Sequence, residues 1–351
     1  MTDFAKRIEQ IPSEILLKIA KIEELKGKWI GGANLSPQTL GRLKQSVLIT
    51  STGASTRIEG ARLSDEEIED FIRGINIKDF KSRDEEEVRG YFELLRNVFE
   101  NWESFTLNEN LVKSLHNQLL KYVEKDQHHK GSYKSVSNEV DMKDGDGNVI
   151  EVLFESTPPY LTPIEMGDLV GWTSDSLQNG KYHPLLVIGN FAVQFLKIHP
   201  FEDGNGRLSR ILVNYLLLSK GYTYVPYVSQ EKLIEENKAE YYIALRKSQK
   251  TFGSNAEEIT AWLNFFLDIL LLQSQLAVDL LDKEKVDVFL SKTQLEIWNY
   301  IQGTAYVSRR ELVQNLNIPI PTVQQVLGKL LKLKRIEKVG EGAGTRYRKK
   351  T

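Results

Sequence analysis

The sequence contains no cysteine, and its N-terminus lacks the uninterrupted apolar run of a secretory signal. The absence of cysteine excludes disulfide bonds, thiolate metal sites and cysteine nucleophiles, and it fits a reducing compartment. Residues 1–25 scatter charges through an amphipathic helical pattern, and we expect no apolar stretch of membrane-spanning length. The sequence therefore predicts a cytoplasmic protein without a membrane partner.

The composition is that of a soluble globular protein, with 41% hydrophobic and 27% charged residues in a chain of 351. This length allows more than one domain. The net charge of −2 conceals an asymmetry, because residues 292–351 carry 12 Lys+Arg against 4 Asp+Glu and the rest carries 34 against 44. A separate basic C-terminal module is predicted, with either an anionic partner or only a solvated basic surface.

Apolar residues at helical spacing cover most of the chain, which predicts a mainly α fold. In the N-terminal third, breaks at GGANLSP, STGAS and WESFT separate helical segments at 4–28, 37–52, 64–75, 83–101 and 107–122. His116, within the last segment, is interpreted as a core histidine. Farther on, two alternating runs, SYKSVSNEV from Ser132 and VIEVLFEST, flank the turn-rich DGDGN, which predicts a β-hairpin.

The stretch HPFEDGNGRLSR at residues 199–210 lies between two strongly apolar helical segments. Inside a helix each glycine of GNG would cost about 1 kcal/mol relative to alanine, so the stretch predicts a turn that something approaches closely. The helix that begins there presents free N–H groups and a positive dipole end, which favour a phosphate. Around that phosphate we expect the guanidinium groups of Arg207 and Arg210 to bind its oxygen atoms. Asp203 is expected to be a magnesium ligand, and His199 a general base. This set of groups indicates nucleotidyl or phosphoryl transfer.

The same stretch resembles the signature of the Fic family, His-x-Phe-x-Asp/Glu-Gly-Asn-Gly-Arg-x-x-Arg, at every defined position. The resemblance implies an all-helical core where ATP binds with Mg²⁺ and AMP passes to a Ser, Thr or Tyr hydroxyl of a protein, releasing pyrophosphate. His199 would deprotonate the hydroxyl and Asp203 would hold Mg²⁺. The residues implied to bind ATP are Gly204, Asn205, Gly206, Arg207, Arg210 and Asn237. Self-modification and a homo-oligomer are also expected.

STRIEG at residues 55–60 fits the Ser/Thr-x-x-x-Glu-Gly/Asn pattern of the inhibitory helix that many Fic proteins carry. An ordinary helix start with a capping serine is the alternative. The resemblance implies an inhibitory helix at 53–61 that Ser55 opens and Gly60 ends. Glu59 would form a bidentate pair with Arg210 and block the place of the γ-phosphate. Two other functions stay open: removal of AMP from a modified protein, and a nucleotide-sensing DNA-binding regulator.

The hairpin region at 130–159 resembles the family's flap, which pins the target segment by strand addition. Its entry, GSYK, resembles Gly-x-Tyr-Arg with Lys134 in place of arginine, so the role of Lys134 stays open. Three predicted helices from Lys292 and two strand-like runs around a Gly-rich turn look like a winged helix-turn-helix domain that binds DNA or protein. The predicted domains are an N-terminal helical region at 1–104, a Fic catalytic domain at 105–283 and a winged-helix domain at 290–351.

Overall fold

The computed structural model describes residues 4–32, 35–73, 82–143, 149–254, 256–288, 292–332, 335–340 and 342–350. Of residues 73, 139–143, 149–155, 282–288, 292, 295 and 343 it describes the backbone only. The chain forms two compact units, Met1–Val278 and Asp279–Thr351, divided close to the predicted boundary after residue 283. The predicted boundary at residue 104 falls inside the first unit.

The first unit is mainly helical, as the sequence predicts. Its helices are α1 (Lys6–Glu9), α2 (Ser13–Gly32), α3 (Pro37–Ile58), α4 (Asp65–Arg73), α5 (Arg83–Asn101), α6 (Glu109–Leu119), α7 (Thr162–Asn179), α8 (Pro184–Ile198), α9 (Asn205–Ser219), α10 (Gln230–Glu236) and α11 (Lys238–Gln249). Helix α12 (Thr260–Val288) begins in this unit and continues past the division.

Helix α8 lies at the centre of the first unit. Its sequence, PLLVIGNFAVQFLKI, is apolar on nearly every side, and all its residues except Pro184 and Lys197 are buried. Because such a helix needs partners all round, it packs against α1, α7, α9 and α11. The stretch at 199–210 covers the turn after α8 and the first residues of α9, between two buried helices.

The predicted break at STGAS is wrong, because α3 runs without interruption from Pro37 to Ile58. Its small polar residues are buried, and the two threonines bond within the helix, whereas Ser51 Oγ donates to Ser229 Oγ at 2.8 Å and Ser55 Oγ accepts from Arg210. Thr52 Oγ1 donates to the Leu48 carbonyl at 2.7 Å, and Thr56 Oγ1 donates to the Thr52 carbonyl at 2.9 Å. Small side chains thus mark close packing of α3 against α4, α5, α9 and α10 rather than a turn.

The predicted inhibitory helix at 53–61 is therefore the last turn of a longer helix. Ser55 lies inside α3 and does not open it, which corrects the sequence-based interpretation. Glu59 is the C-cap residue, and Gly60, with φ of 106°, ends the helix in a conformation that favours glycine.

The predicted hairpin is present as the antiparallel strands β1 (Glu139–Lys143) and β2 (Val149–Glu155). The first strand begins later than the predicted run, which starts at Ser132. The turn DGDGN lies outside the described residues.

The second unit contains α13 (Lys292–Gln302), β3 (Val307–Ser308), α14 (Arg309–Leu316), α15 (Ile320–Lys332), β4 (Ile336–Val339) and β5 (Arg346–Lys349). Its sheet has the order β3-β5-β4 and is antiparallel. The capping box of Ser308 and Glu311 fixes the start of α14. The predicted helices and terminal strands are present, whereas membership of the winged-helix class stays a prediction.

Among the described residues, one helix is long and apolar enough to cross a membrane by length and composition. It covers Thr260–Leu281 of α12, with a mean hydropathy of 1.4. The expectation that no apolar stretch reaches this length is therefore wrong. Half of the apolar window is buried inside the protein, and a buried core helix has the same composition, so the stretch is weak support for a membrane span.

Candidate active site

His199 is the first residue after α8 and lies in the left-handed region, with φ of 51° and ψ of 61°. Its backbone N–H donates to the Phe195 carbonyl at 2.9 Å. Burial lowers the pKa of the imidazole to about 4, and the Lys134 ammonium also lowers it, whereas the carboxylates of Glu59 and Asp203 act in the opposite direction. At neutral pH His199 is therefore uncharged and able to accept a proton, as a general base must.

Asn205 braces the loop that carries His199. Its Oδ1 accepts the N–H of Phe201 at 2.9 Å, and its Nδ2 donates to the Phe201 carbonyl at 2.7 Å. The sequence assigned Asn205 to the phosphate site. Its side chain instead holds the loop, and its backbone begins α9 at the anion-binding end of the helix.

His116, on α6, supports the same loop. Its ring stacks on Phe201 with centroids 3.7 Å apart. Nδ1 accepts the N–H of Gly131 at 2.8 Å, so the proton is on Nε2, which donates to the Asp203 carbonyl at 3.0 Å. Burial lowers the pKa of His116 to about 4. The expected core histidine is thus confirmed, and it joins the entry of the hairpin to the loop.

The glycines at the start of α9 create room for an anion. Gly204 is the N-cap residue, with φ of 77°. A Cβ atom on Gly206 would overlap the carboxylate of Glu59. Glu59 therefore lies against the N-terminus of α9, where free N–H groups and the helix dipole favour negative charge.

Arg210 is 4% exposed at its side chain and is held by the last turn of α3. Its Nε donates to Ser55 Oγ at 2.8 Å, and its Nη2 donates to the Ser55 carbonyl at 2.9 Å and to Glu59 Oε1 at 2.8 Å. The predicted pairing of Glu59 with Arg210 is present, but it is a single hydrogen bond and not bidentate, because Nε is bonded to Ser55. Burial disfavours the charged guanidinium and acts to lower the pKa of Arg210. The carboxylate of Glu59 acts to raise it, and the pKa lies above its usual value.

Asp203 is held by two arginines through one oxygen atom. Its Oδ2 accepts from Arg207 and from Arg83 of α5, each at 2.8 Å. Arg207 is 2% exposed at its side chain and also pairs with Glu87 at 2.7 Å. Arg207, expected as a phosphate clamp, therefore has two carboxylate partners in this structure.

Asp203 fits the role of a magnesium ligand in a nucleotide complex. Its side chain is 35% exposed and precedes the anion-binding turn, and charged partners keep its pKa below the usual value although burial raises it. Mg²⁺ in such sites needs only one or two carboxylates, because substrate phosphates supply further oxygen atoms. Among the described residues no group of three or more His, Asp or Glu side chains could form a metal site by itself.

Asn237, expected to contact the nucleotide, uses its side chain to cap α10. Its Nδ2 donates to the Leu233 carbonyl at 2.8 Å. The junction of α10 and α11 does lie beside the end of α3, since Lys238 Nζ donates to the Arg57 carbonyl at 3.4 Å.

Sequence reasoning missed Arg83 and Glu87 as partners of the site and did not resolve Lys134. Arg83 and Glu87 gave no usable signal, because charged residues four apart are common on exposed helix faces. The departure from the Gly-x-Tyr-Arg pattern was the signal at Lys134.

Residues 106–217 match the family model described as Fic/DOC family. A probable protein adenylyltransferase of Aquifex aeolicus is 35% identical over 81 residues, which cover 23% of this chain and 24% of that protein. The protein adenylyltransferase Fic of Aedes aegypti is 41% identical over 59 residues, covering 17% and 12%. The chain thus matches about a quarter or less of the length of these relatives.

Solved structures extend the likeness in fold. A Fic family protein from Desulfovibrio desulfuricans aligns over 97% of both chains, with a TM-score of 0.63 and 24% identity. Fic-1 of Caenorhabditis elegans aligns over 77% of this chain and 74% of its own, with a TM-score of 0.58 and 19% identity.

Proposed function

Because residues 106–217 form a Fic domain, we propose that the protein transfers AMP from ATP to a Ser, Thr or Tyr hydroxyl group of a protein. The observation that carries the proposal is an uncharged His199 placed before a helix N-terminus that already attracts a carboxylate. One group accepts a proton and the other binds an anion, which is what this reaction requires.

In this reaction the hydroxyl oxygen attacks the α-phosphorus of ATP while His199 accepts the hydroxyl proton. A new P–O bond forms, the bond to the β-phosphate breaks, and pyrophosphate leaves. The N–H groups at the start of α9 and the guanidinium of Arg210 stabilise phosphate charge. Asp203 would hold Mg²⁺, which neutralises charge on the phosphate oxygens when bound.

We propose that Glu59 inhibits this reaction. Its carboxylate lies against Gly206 and accepts a hydrogen bond from Arg210, so it competes with ATP for both the helix N-terminus and the guanidinium. ATP that binds beside it would be displaced from the position for in-line attack, and a displacement of about 1 Å can cost on the order of 100-fold in rate.

The test follows label from ATP onto protein. Glu59→Gly protein with Mg²⁺ should take up label from α-labelled ATP and none from γ-labelled ATP, on itself or on a target. Glu59→Gly/His199→Ala should take up neither. ATP binding without α label in any variant would contradict the proposal and direct attention to AMP removal or nucleotide sensing.

We also propose that the second unit binds nucleic acid. Strand β5 of this unit exposes Arg346 and Lys349. Residues 292–351 carry more basic than acidic residues, 12 against 4, whereas the rest of the chain is acidic, with 34 against 44. Exposed positive charge of this kind attracts nucleic-acid phosphates. Arg346→Ala/Lys349→Ala should weaken salt-dependent retention of the full chain on duplex DNA. The charge-matched control Lys21→Ala/Lys28→Ala, on α2, should not, and equal retention of all three proteins would refute the proposal.

A further inference from the structure

Lys134 is a buried lysine whose ammonium group has a full set of acceptors. It is 3% exposed. Its Nζ donates to Asn138 Oδ1 at 2.8 Å, to Ser156 Oγ at 2.7 Å and to the Ile198 carbonyl at 3.1 Å. An ammonium has three N–H donors, and burying it is costly unless each is bonded. The side chain therefore has a defined position between the hairpin and the end of α8.

The same residue holds both carbonyl groups that flank His199. Its Nζ bonds the carbonyl of Ile198, and its backbone N–H donates to the carbonyl of Pro200 at 2.9 Å. Between them His199 adopts a left-handed conformation, which a non-glycine residue keeps only when its surroundings impose it. We propose that Lys134 is a positioning residue for His199. Lys134 holds His199 in this conformation and links it to both ends of the hairpin.

The link to the hairpin runs through Asn138 and Ser156, which lie just outside β1 and β2. Ser156 Oγ donates to the Asn138 carbonyl, with the two atoms 2.5 Å apart. Asn138 Nδ2 donates to the Phe201 carbonyl at 2.8 Å. Lys134 and Asn138 together hold the carbonyl groups of Ile198, Pro200 and Phe201, so a displacement of the hairpin is transmitted to the loop that carries His199.

The charge of Lys134 gives it a second effect on His199. Burial is the main reason for the low pKa of His199, and the neighbouring ammonium is the next. Glu59 and Asp203 are the facing carboxylates, and both act to raise that pKa. Burial lowers the pKa of Lys134 itself to about 8, so the ammonium form still predominates at neutral pH. Lys134 thus helps to keep His199 in the form that accepts a proton.

This inference rests on the proposed function, so it is tested by one measurement of activity and by one measurement that does not depend on activity. Three substitutions are made in Glu59→Gly protein: Lys134→Met, Lys134→Arg, and Lys125→Met as an exposed lysine control. The first measurement is α-label transfer from pH 5 to pH 9. The second is the NMR titration midpoint of His199, whose signal is identified from its loss in His199→Gln.

Lys134→Met should lower kcat by about 30-fold with little change in the KM for ATP, since His199 loses its placement while Arg210 keeps its own. Its His199 midpoint should rise by about one pH unit, because a nearby positive charge has been removed. Lys134→Arg, which keeps the charge and the donors, should restore the midpoint and most of kcat. Lys125→Met should behave as the parent.

An unchanged kcat and an unchanged midpoint in Lys134→Met would overturn the inference. If the parent itself transfers no α label, the proposed function fails, and the midpoint alone then decides for or against Lys134. Should Lys134→Met not fold, Lys134→Gln serves instead, since it keeps hydrogen bonding without charge. A His199 midpoint in Lys134→Gln equal to that of the parent would likewise overturn the inference.

Discussion

Replacing Glu59 by glycine should accelerate AMP transfer, by an amount that its contacts allow us to estimate. The carboxylate bonds Arg210 at 2.8 Å. At an effective dielectric constant near 20, charges about 4 Å apart interact by about 4 kcal/mol. Because the Glu59 side chain is 34% exposed, solvent screening reduces this to roughly 1–3 kcal/mol. ATP no longer has to displace this contact, so kcat/KM for ATP should rise about 5- to 150-fold.

The assay is the initial rate of α-label incorporation at ATP concentrations below KM, together with the Kd for ATP by calorimetry. Glu59→Gln is the matched control, since it keeps the size of the side chain and removes its charge, and its rate should lie between those of wild type and Glu59→Gly. Arg210 should stay in place in both variants, because Ser55 provides two of its hydrogen bonds. A Glu59→Gly protein with the kcat/KM and Kd of wild type would refute the reasoning.

Three further predictions concern single residues. His199→Ala should abolish label transfer in either background without changing the Kd for ATP, and a residual rate near that of the parent would exclude His199 as the base. His116 has a pKa of about 4 in the folded protein against 6.5 for the ordinary residue, so the folded state binds fewer protons between these values and loses stability as pH falls through that range. The loss should be roughly 2–4 kcal/mol by urea unfolding at pH 7 and pH 4, and it should shrink in His116→Gln; an equal loss in both would contradict the assignment. Gly90→Ala would place a Cβ atom onto the backbone oxygen of Leu119 and should destabilise the folded protein by about 1–3 kcal/mol. In Gly171→Ala, on α7, the new Cβ atom meets no other atom, and the protein should be stabilised by about 0.5–1 kcal/mol. Both changes are measured by thermal unfolding, and the reverse order of stability would contradict the packing of α5 on α6.

The chemistry of the site could be predicted from the sequence because its residues are contiguous. His199, Asp203, the glycines and both arginines lie within twelve positions, where a helix end and the next helix start impose their geometry. The contact of Glu59 with Arg210 spans 151 positions, and only the family resemblance suggested it.

The partners of these residues could not be predicted in the same way. Arg83, Glu87 and His116 reach the loop because α5 and α6 pack against α9, and no local pattern encodes that packing. The wrong break at STGAS has the opposite origin. Small polar residues indicate turns when they face solvent, but in α3 they are buried: the threonines bond carbonyl groups of the helix, and the serines bond residues of neighbouring elements.

Helix α3 contacts Arg210 through two separate residues, and this separation affects how the proposed activity could be controlled. Ser55 holds the guanidinium from within the buried helix, whereas Glu59 contacts it from the helix end with a partly exposed side chain. Withdrawal of the whole helix would open the core and also remove the two hydrogen bonds by which Ser55 holds Arg210, so it would not be a way to activate the proposed reaction. Rotation of one carboxylate leaves every backbone atom in place. If Glu59 inhibits as proposed, an activating signal has to supply only the free energy that breaks the contact between Glu59 and Arg210, and resistance to unfolding and responsiveness to that signal can be tuned independently.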